Sequence, residues 1–262
     1  WEDQALTIKA DKQPQAAMEA LLALVLTADN AKDSDAIFDR LQALSDTSFS
    51  EDVMLQYLRV MSLAFIRDKG DDDRNAFKDA VGPKLLAQFP TQNLDLNREL
   101  QLLVAYTEPS GAVGKLLAYL TPDKSQEEQI HTVYCLRTIE TGWEHDQRDA
   151  LVAWFDKGRE MGGAASMAGY IENLWTASLE LLPEEQRAAA EARKQAALDK
   201  RQEEAMALLA KLEEEAPKVN TDLAQMSFEE LAEYLEYDPM NYREPNLEAG
   251  KNVFIRARCA NC

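Results

Sequence analysis

The chain has 262 residues, of which 47 are acidic and 28 basic, so its formal net charge is −19. Apolar residues make up 46% of it, with only 10 glycines and 9 prolines. That composition allows a real core in one large domain or two small ones, and it argues against a turn-rich β fold or low-complexity disorder. The negative charge disfavours nucleic-acid partners. No apolar run, Met18 to Thr27 included, approaches the roughly 20 residues of a membrane span, so we expect no transmembrane segment.

Apolar residues recur at helical spacing along most of the chain, and this periodicity predicts an all-α fold. The expected helices, in chain order, lie around Met18 to Leu26, from an N-cap region at Asp33-Ser34-Asp35 to Leu44, from Ser50 to near Gly70, from Phe77 to Phe89 with a break or kink at Gly82-Pro83, from Leu100 to Tyr106, from Val113 to Leu120, from Ser125 to Glu140, from His145 to Gly158, and from Met167 to Leu182. In the seventh of these, Ile130, Val133, Tyr134 and Leu136 are predicted to face inward. In the eighth, the predicted inward residues are Leu151, Val152, Trp154 and Phe155.

Short amphipathic helices in pairs are typical of α-solenoids of the HEAT or armadillo kind. We therefore predict a HEAT-like helical repeat domain over residues 1–182, with an irregular helical-repeat array or compact helical bundle as the structural alternative. Residues 183–244 are predicted to form a long charged helix and a linker. The helix covers 184–215, either as a solvated connection or as a coiled-coil partner site.

The sharpest chemical motif is Cys259-Ala260-Asn261-Cys262, which follows Gly250-Lys251-Asn252-Val253-Phe254. A C-x-x-C spacing alone is compatible with redox, zinc and haem chemistry. The thioredoxin-like interpretation lacks a βαβ context, and the zinc interpretation lacks a second ligand pair. Covalent haem attachment needs a histidine directly after the second cysteine, at position 263. The chain opens at Trp1 without a Met start or the pattern of a signal peptide and closes on a free cysteine, so we expect both ends to be boundaries within a longer polypeptide.

The segment Gly-Lys-x-Val-Phe-x-x-Ala-x-Cys-x-x-Cys resembles the start of the C-terminal cytochrome-c-like domain of planctomycete-type membrane-bound dehydrogenase proteins. Upstream segments resemble the helical-repeat region of that family, so the likeness covers roughly residues 90–262. The upstream segments that carry this resemblance are Leu96-Asn97-Arg98-Glu99-Leu100, Gln126-Glu127-Glu128-Gln129-Ile130-His131, Leu136-Arg137, Gly142-Trp143, Asp146-Gln147-Arg148, Trp154-Phe155 and Gly162-Gly163 with Met167-Ala168-Gly169-Tyr170.

The resemblance implies that residues 245–262 begin a c-type cytochrome domain. Cys259 and Cys262 would form the thioethers to haem c, and Gly250 and Phe254 would pack the haem helix. Because such haem is attached outside the bacterial cytoplasm, the resemblance also implies a periplasmic or otherwise exported protein. Its partner would be a redox domain or a dehydrogenase subunit, with the proximal histidine beyond the chain end.

Three weaker candidates each have a simpler structural interpretation. His131 and Cys135 are four residues apart on one predicted helix and could face one metal, but helix packing is the favoured interpretation. Asp71-Asp72-Asp73 suggests a calcium loop, yet it lacks the required glycine and terminal glutamate. Trp143, Trp154 and Trp175 could line a ligand groove, although core packing is favoured.

Two functions follow as hypotheses. The first is a helical-repeat scaffold within a larger redox protein that carries a c-type haem for electron transfer. The second is a haem-independent interaction solenoid that binds a peptide or partner subunit. Nucleotide-binding and hydrolase motifs are absent from the sequence, so an enzyme active within these residues has the least support, although the parent protein could be a haem-containing dehydrogenase.

Overall fold

A computed structural model of the chain describes residues 5–70, 74–163 and 166–215. Within these ranges the protein is all-α and contains no strand, which confirms the all-α part of the prediction. Ten helices are present there: α1 (Pro14–Thr27), α2 (Ala31–Leu44), α3 (Glu51–Arg67), α4 (Asn75–Gln88), α5 (Leu94–Thr107), α6 (Ala112–Tyr119), α7 (Gln126–Leu136), α8 (His145–Gly158), α9 (Met167–Leu179) and α10 (Glu184–Glu215). None of the described helices is both long and apolar enough to cross a bilayer.

Local capping determines where several of these helices begin. Asn30 caps α2 by accepting a hydrogen bond from the backbone N–H of Asp33 at 3.1 Å, so the helix begins two residues before the predicted cap region at Asp33. Ser125 and Glu128 form a reciprocal capping box at the start of α7, which satisfies backbone donors that a helix start otherwise leaves unpaired.

Of the two predicted alternatives at Gly82-Pro83, the break is wrong, because α4 continues through both residues, and the kink stays a prediction. Pro83 removes one backbone donor from the helix, but buried Phe77, Val81 and Leu85 hold the flanking turns in the core. Gly82 allows a close approach to α5, since a Cβ atom there would lie 3.0 Å from Thr107 Oγ1. Tertiary packing therefore overrides the local helix-breaking tendency.

The chain divides into two compact units, Trp1–Ala190 and Glu191–Cys262. In the first unit, each helix packs mainly against the next helix along the chain or the next but one. The odd-numbered helices α1, α3, α5 and α7 lie side by side in that order, and α2 packs on α4 as α6 does on α8. Two sets of helices thus enclose a continuous core.

Aromatic side chains join the two sets of helices near the middle of this core. Phe38 on α2 contacts Phe65 on α3 and Phe77 on α4, with ring centroids 5.2 and 5.0 Å apart. Phe65 in turn lies 4.6 Å from the Tyr106 ring on α5. Four consecutive helices are therefore tied together by contacts that combine area burial with favourable ring geometry.

Candidate functional site

The predicted haem residues Gly250, Phe254, Cys259 and Cys262 lie outside the described residues, as does the acidic run Asp71-Asp72-Asp73. The structure therefore describes neither the haem motif nor the calcium-loop candidate. Haem attachment stays a prediction from the sequence.

The His131 and Cys135 pair is part of the contact between α5 and α7. His131 Nε2 lies 3.1 Å from the carbonyl oxygen of Arg98 and 3.6 Å from Cys135 Sγ. The buried position lowers the pKa of His131, so the neutral imidazole can donate its Nε2 hydrogen to that carbonyl. Burial also raises the pKa of the Cys135 thiol to about 12. A protonated thiol beside an engaged imidazole nitrogen is a packing arrangement and does not resemble a metal site.

The three candidate tryptophans are all buried, in agreement with core packing. Trp143 donates to the carbonyl of Ile139 at 2.8 Å, and Trp154 donates to Gln129 Oε1 at 3.1 Å. Trp175 packs edge-on to Phe155. Trp154 differs from the other two because it also lines an open groove of about 490 Å³ between α6, α7 and α8.

The surface of the first unit that is formed by odd-numbered helices is unusually apolar. An apolar row occupies the last two turns of α1, α3, α5 and α7, and it consists of Leu22, Leu26, Ile66, Leu102, Tyr106 and Tyr134. Ile66 is 80% exposed, which is extreme for an isoleucine in a helix. Tyr134 was predicted to face inward, and this prediction is wrong. Each tyrosine of the apolar row has a cation over its ring: Lys78 Nζ lies 4.4 Å from the Tyr106 ring centroid, and Arg137 Cζ lies 4.3 Å from the Tyr134 ring centroid.

A ladder of ion pairs joins α3, α5 and α7 on the same surface, nearer their N-terminal ends. Arg59 Nε lies 2.9 Å from Glu99 Oε1, and an Arg98 guanidinium nitrogen lies 3.4 Å from Glu127 Oε2. Exposed pairs of this kind add little stability. They place charged groups beside the apolar row on the same helices.

A second titratable cluster lies at the exposed start of α8. His145, Asp146 and Asp149 place their donor atoms within 4.8 Å of one another. His145 Nε2 is 3.4 Å from Asp149 Oδ2, and Gln186 Nε2 donates to Asp149 Oδ1 at 3.2 Å. These contacts pair His145 with Asp149 and join Asp149 to the start of α10, so these two groups form a link between helices.

Sequence reasoning did not identify the apolar row as a surface, although most of its members are visible in the helical periodicity. It also did not identify the ion-pair ladder, whose partners are 40 and 29 residues apart in sequence. Comparison of the chain with known protein-family models, with curated proteins and with solved structures found no match in any of the three.

Proposed function

We propose that the first unit is a docking scaffold, a divergent α-solenoid of the HEAT kind that binds a partner protein across its odd-numbered helices. One observation carries this proposal. In the described part of the first unit, every exposed large apolar side chain lies on an odd-numbered helix: Leu22, Leu26, Ile66, Leu94, Leu102, Tyr106, Tyr134 and Tyr170. A contiguous apolar patch bordered by polar groups is characteristic of a protein-binding surface.

Next-but-one packing, of α1 on α3, α3 on α5, α5 on α7, α2 on α4 and α6 on α8, supports the solenoid part of the proposal. In such an array one set of helices forms an extended surface, which solenoids use for binding. Tyr106 and Tyr134 supply large, fairly rigid contact area, the kind of side chain that is enriched among residues important for binding. The ion-pair ladder would form the polar border of the contact.

Photo-crosslinking from defined positions tests the docking surface. A photoreactive phenylalanine at Leu102 or Ile66 should give a crosslinked product of one discrete mass in the native host. Matched probes at Asp39 on α2 and Ala87 on α4, which are exposed on even-numbered helices, should not give it. The crosslink should be competed away by the unlabelled protein but not by a Leu102→Ser, Tyr106→Ser variant. Equal crosslinking from both sets of positions, or none from the odd set, would refute the proposal.

We further propose that this scaffold belongs to an exported redox protein whose C-terminal segment carries haem c for electron transfer. The support is the motif Cys259-Ala260-Asn261-Cys262 with Gly250 and Phe254 upstream, together with the family resemblance of that segment. Cys259 and Cys262 would hold the cofactor by adding their thiols to its vinyl groups. When bound, the haem would supply one-electron chemistry. The scaffold would place that segment beside a redox partner.

Haem attachment can be tested without reference to the docking surface. The natural protein that contains this chain should show a c-type α band in a reduced-minus-oxidised spectrum after expression with haem-maturation machinery. A Cys259→Ala, Cys262→Ala variant should lose the band and should retain the thermal transition of the first unit. Absence of the band in the unmodified protein would leave the haem-independent docking scaffold as the function.

A further inference from the structure

The groove between α6, α7 and α8 has a different chemical character from the apolar row and shares no residue with it. Its apolar lining consists of Leu117, Leu120, Pro122, Ala150, Ala153, Trp154 and Met161. Its volume of about 490 Å³ lies within the range of small-molecule sites, roughly 300–1,000 Å³.

Small residues on α6 and α8 lie in and beside this groove. On α6, a Cβ atom at Gly114 would be in ordinary van der Waals contact with α8, 3.4 Å from Gln147 Nε2. Ala150 and Ala153 on α8 line the groove together with Leu117 and Leu120, and their small side chains fill little of the space. The end of the groove is held in place because Gln126 Nε2 donates to the carbonyl of Gly162 at 2.8 Å.

The polar groups of the groove are few, and all but one are already engaged. Gln129 accepts a hydrogen bond from Trp154 and donates one to the carbonyl of Lys124. The exception is Lys157, the one charged residue of the lining. Within the described residues its ammonium group forms no hydrogen bond or ion pair. An apolar groove with a single unpaired cation in its lining is complementary to a molecule that has an aliphatic tail and one anionic head.

We propose that this groove binds an aliphatic monocarboxylate, whose chain packs against Leu117, Leu120 and the Trp154 ring while its carboxylate pairs with Lys157. A cationic amphiphile would be repelled by Lys157, and a neutral one would lose the ion pair. Burial of the chain supplies most of the affinity, about fourfold per fully buried methylene. The ion pair sets the preference for an anion.

Calorimetry with three probes of equal chain length tests the proposal: decanoate, decan-1-ol and decylamine. Decanoate should bind saturably with a Kd of roughly 0.1–1 mM, decan-1-ol more weakly and decylamine least. Octanoate should bind about fourfold to sixteenfold more weakly than decanoate. Tryptophan fluorescence should change on decanoate binding, and Trp154→Phe should abolish that change. Failure of decanoate to saturate, or tighter binding of decylamine, would overturn the proposal.

Two variants separate this site from nonspecific uptake by other apolar surface. Lys157→Met should weaken decanoate binding by about fivefold, as expected for one exposed ion pair, and should leave decan-1-ol unaffected. Lys69→Met, an exposed lysine outside the groove, is the matched control and should change neither. Ala153→Phe should block all three probes with the α-helical circular dichroism intact.

Ala150→Phe, at a more exposed position of α8, serves as a second blocking variant in case Ala153→Phe is unstable. Undiminished decanoate binding in a folded blocking variant would refute the assignment to this groove. Leu102→Ser, Tyr106→Ser should leave decanoate binding unchanged, so this experiment can fail or succeed independently of the docking proposal.

Discussion

Tyr57 on α3 donates its hydroxyl hydrogen to the carbonyl oxygen of Leu41 on α2 across 2.8 Å, and both residues are buried. The same burial raises the pKa of the Tyr57 hydroxyl well above its ordinary value, so the group stays a neutral donor. This bond joins two helices of the first unit at a point that water does not reach.

Tyr57→Phe should therefore lower the free energy of unfolding by about 1–2 kcal/mol, because a buried carbonyl loses its side-chain partner with no replacement. Urea denaturation followed by circular dichroism measures the change. Tyr134→Phe is the matched control, since that ring is exposed, and it should shift stability by less than about 0.5 kcal/mol. Equal effects of the two substitutions would contradict the assigned role of the bond.

Asn97 on α5 fastens the segment that leads into its own helix. Its Oδ1 accepts from the backbone N–H of Thr91 at 2.7 Å, and its Nδ2 donates to the Thr91 carbonyl at 3.0 Å. The residue is buried. Asn97→Ala should cost about 2–3 kcal/mol, since several groups lose partners together. The exposed Asn75→Ala provides the comparison in a thermal melt, and a loss no larger than that of Asn75→Ala would contradict the prediction.

Asp68 and Arg74 form an acid-sensitive connection between α3 and α4. Arg74 Nε lies 2.7 Å from Asp68 Oδ2, and this hydrogen bond outweighs burial, so the pKa of Asp68 falls below its ordinary 3.8. Because the folded-state pKa is the lower one, the stabilisation is complete above pH 3.8 and is lost as pH falls through the folded-state value.

Asp68→Asn should thus be less stable than the unmodified protein at pH 7, and the difference should shrink below pH 3.8. Denaturant titrations from pH 7 to pH 2.5 measure this. Asp39→Asn, at an exposed position on α2, is the control variant and should lose less than about 0.5 kcal/mol of stability at pH 7. A stability gap that persists unchanged at the lowest pH would show that Asp68 acts through packing alone.

Cys135 should resist modification in the folded protein. It is 1% exposed, and burial holds its pKa near 12, so almost no thiolate is present or reachable at pH 8. Iodoacetamide should leave Cys135 unlabelled in buffer and label it fully in urea, as read by peptide mass mapping. Labelling in buffer at the rate found in urea would show that α7 opens readily.

Helical periodicity was sufficient to predict most of the fold. Its prediction for α8, His145 to Gly158, agrees with the structure in both bounds. The apolar stripe of this helix is uninterrupted, and Gly158 marks its end. The seventh helix ends at Leu136 and not at Glu140. Periodicity also shows which face of a helix is apolar, but not whether another element covers it, and Leu22, Leu26 and Tyr134 are exposed for that reason.

The groove could not have been predicted in the same way. Its lining comes from three helices and the segments that follow two of them, and its volume depends on how these elements are spaced in the folded chain. The one signal in the sequence is the pair of alanines at positions 150 and 153, on the face of α8 that also carries Trp154. Alanine at such spacing is common in well-packed helices, so the pattern alone does not indicate a cavity.

The neighbour-to-neighbour packing of the first unit has a consequence for how it responds to load. Its main helix contacts join elements that are adjacent or next-but-one along the chain, so little loop-closure entropy opposes each contact. Helices at either end can detach while the middle of the array keeps its own contacts. When the unit is pulled by its ends, its extension should therefore increase in several small steps, one group of helices at a time, rather than in a single step.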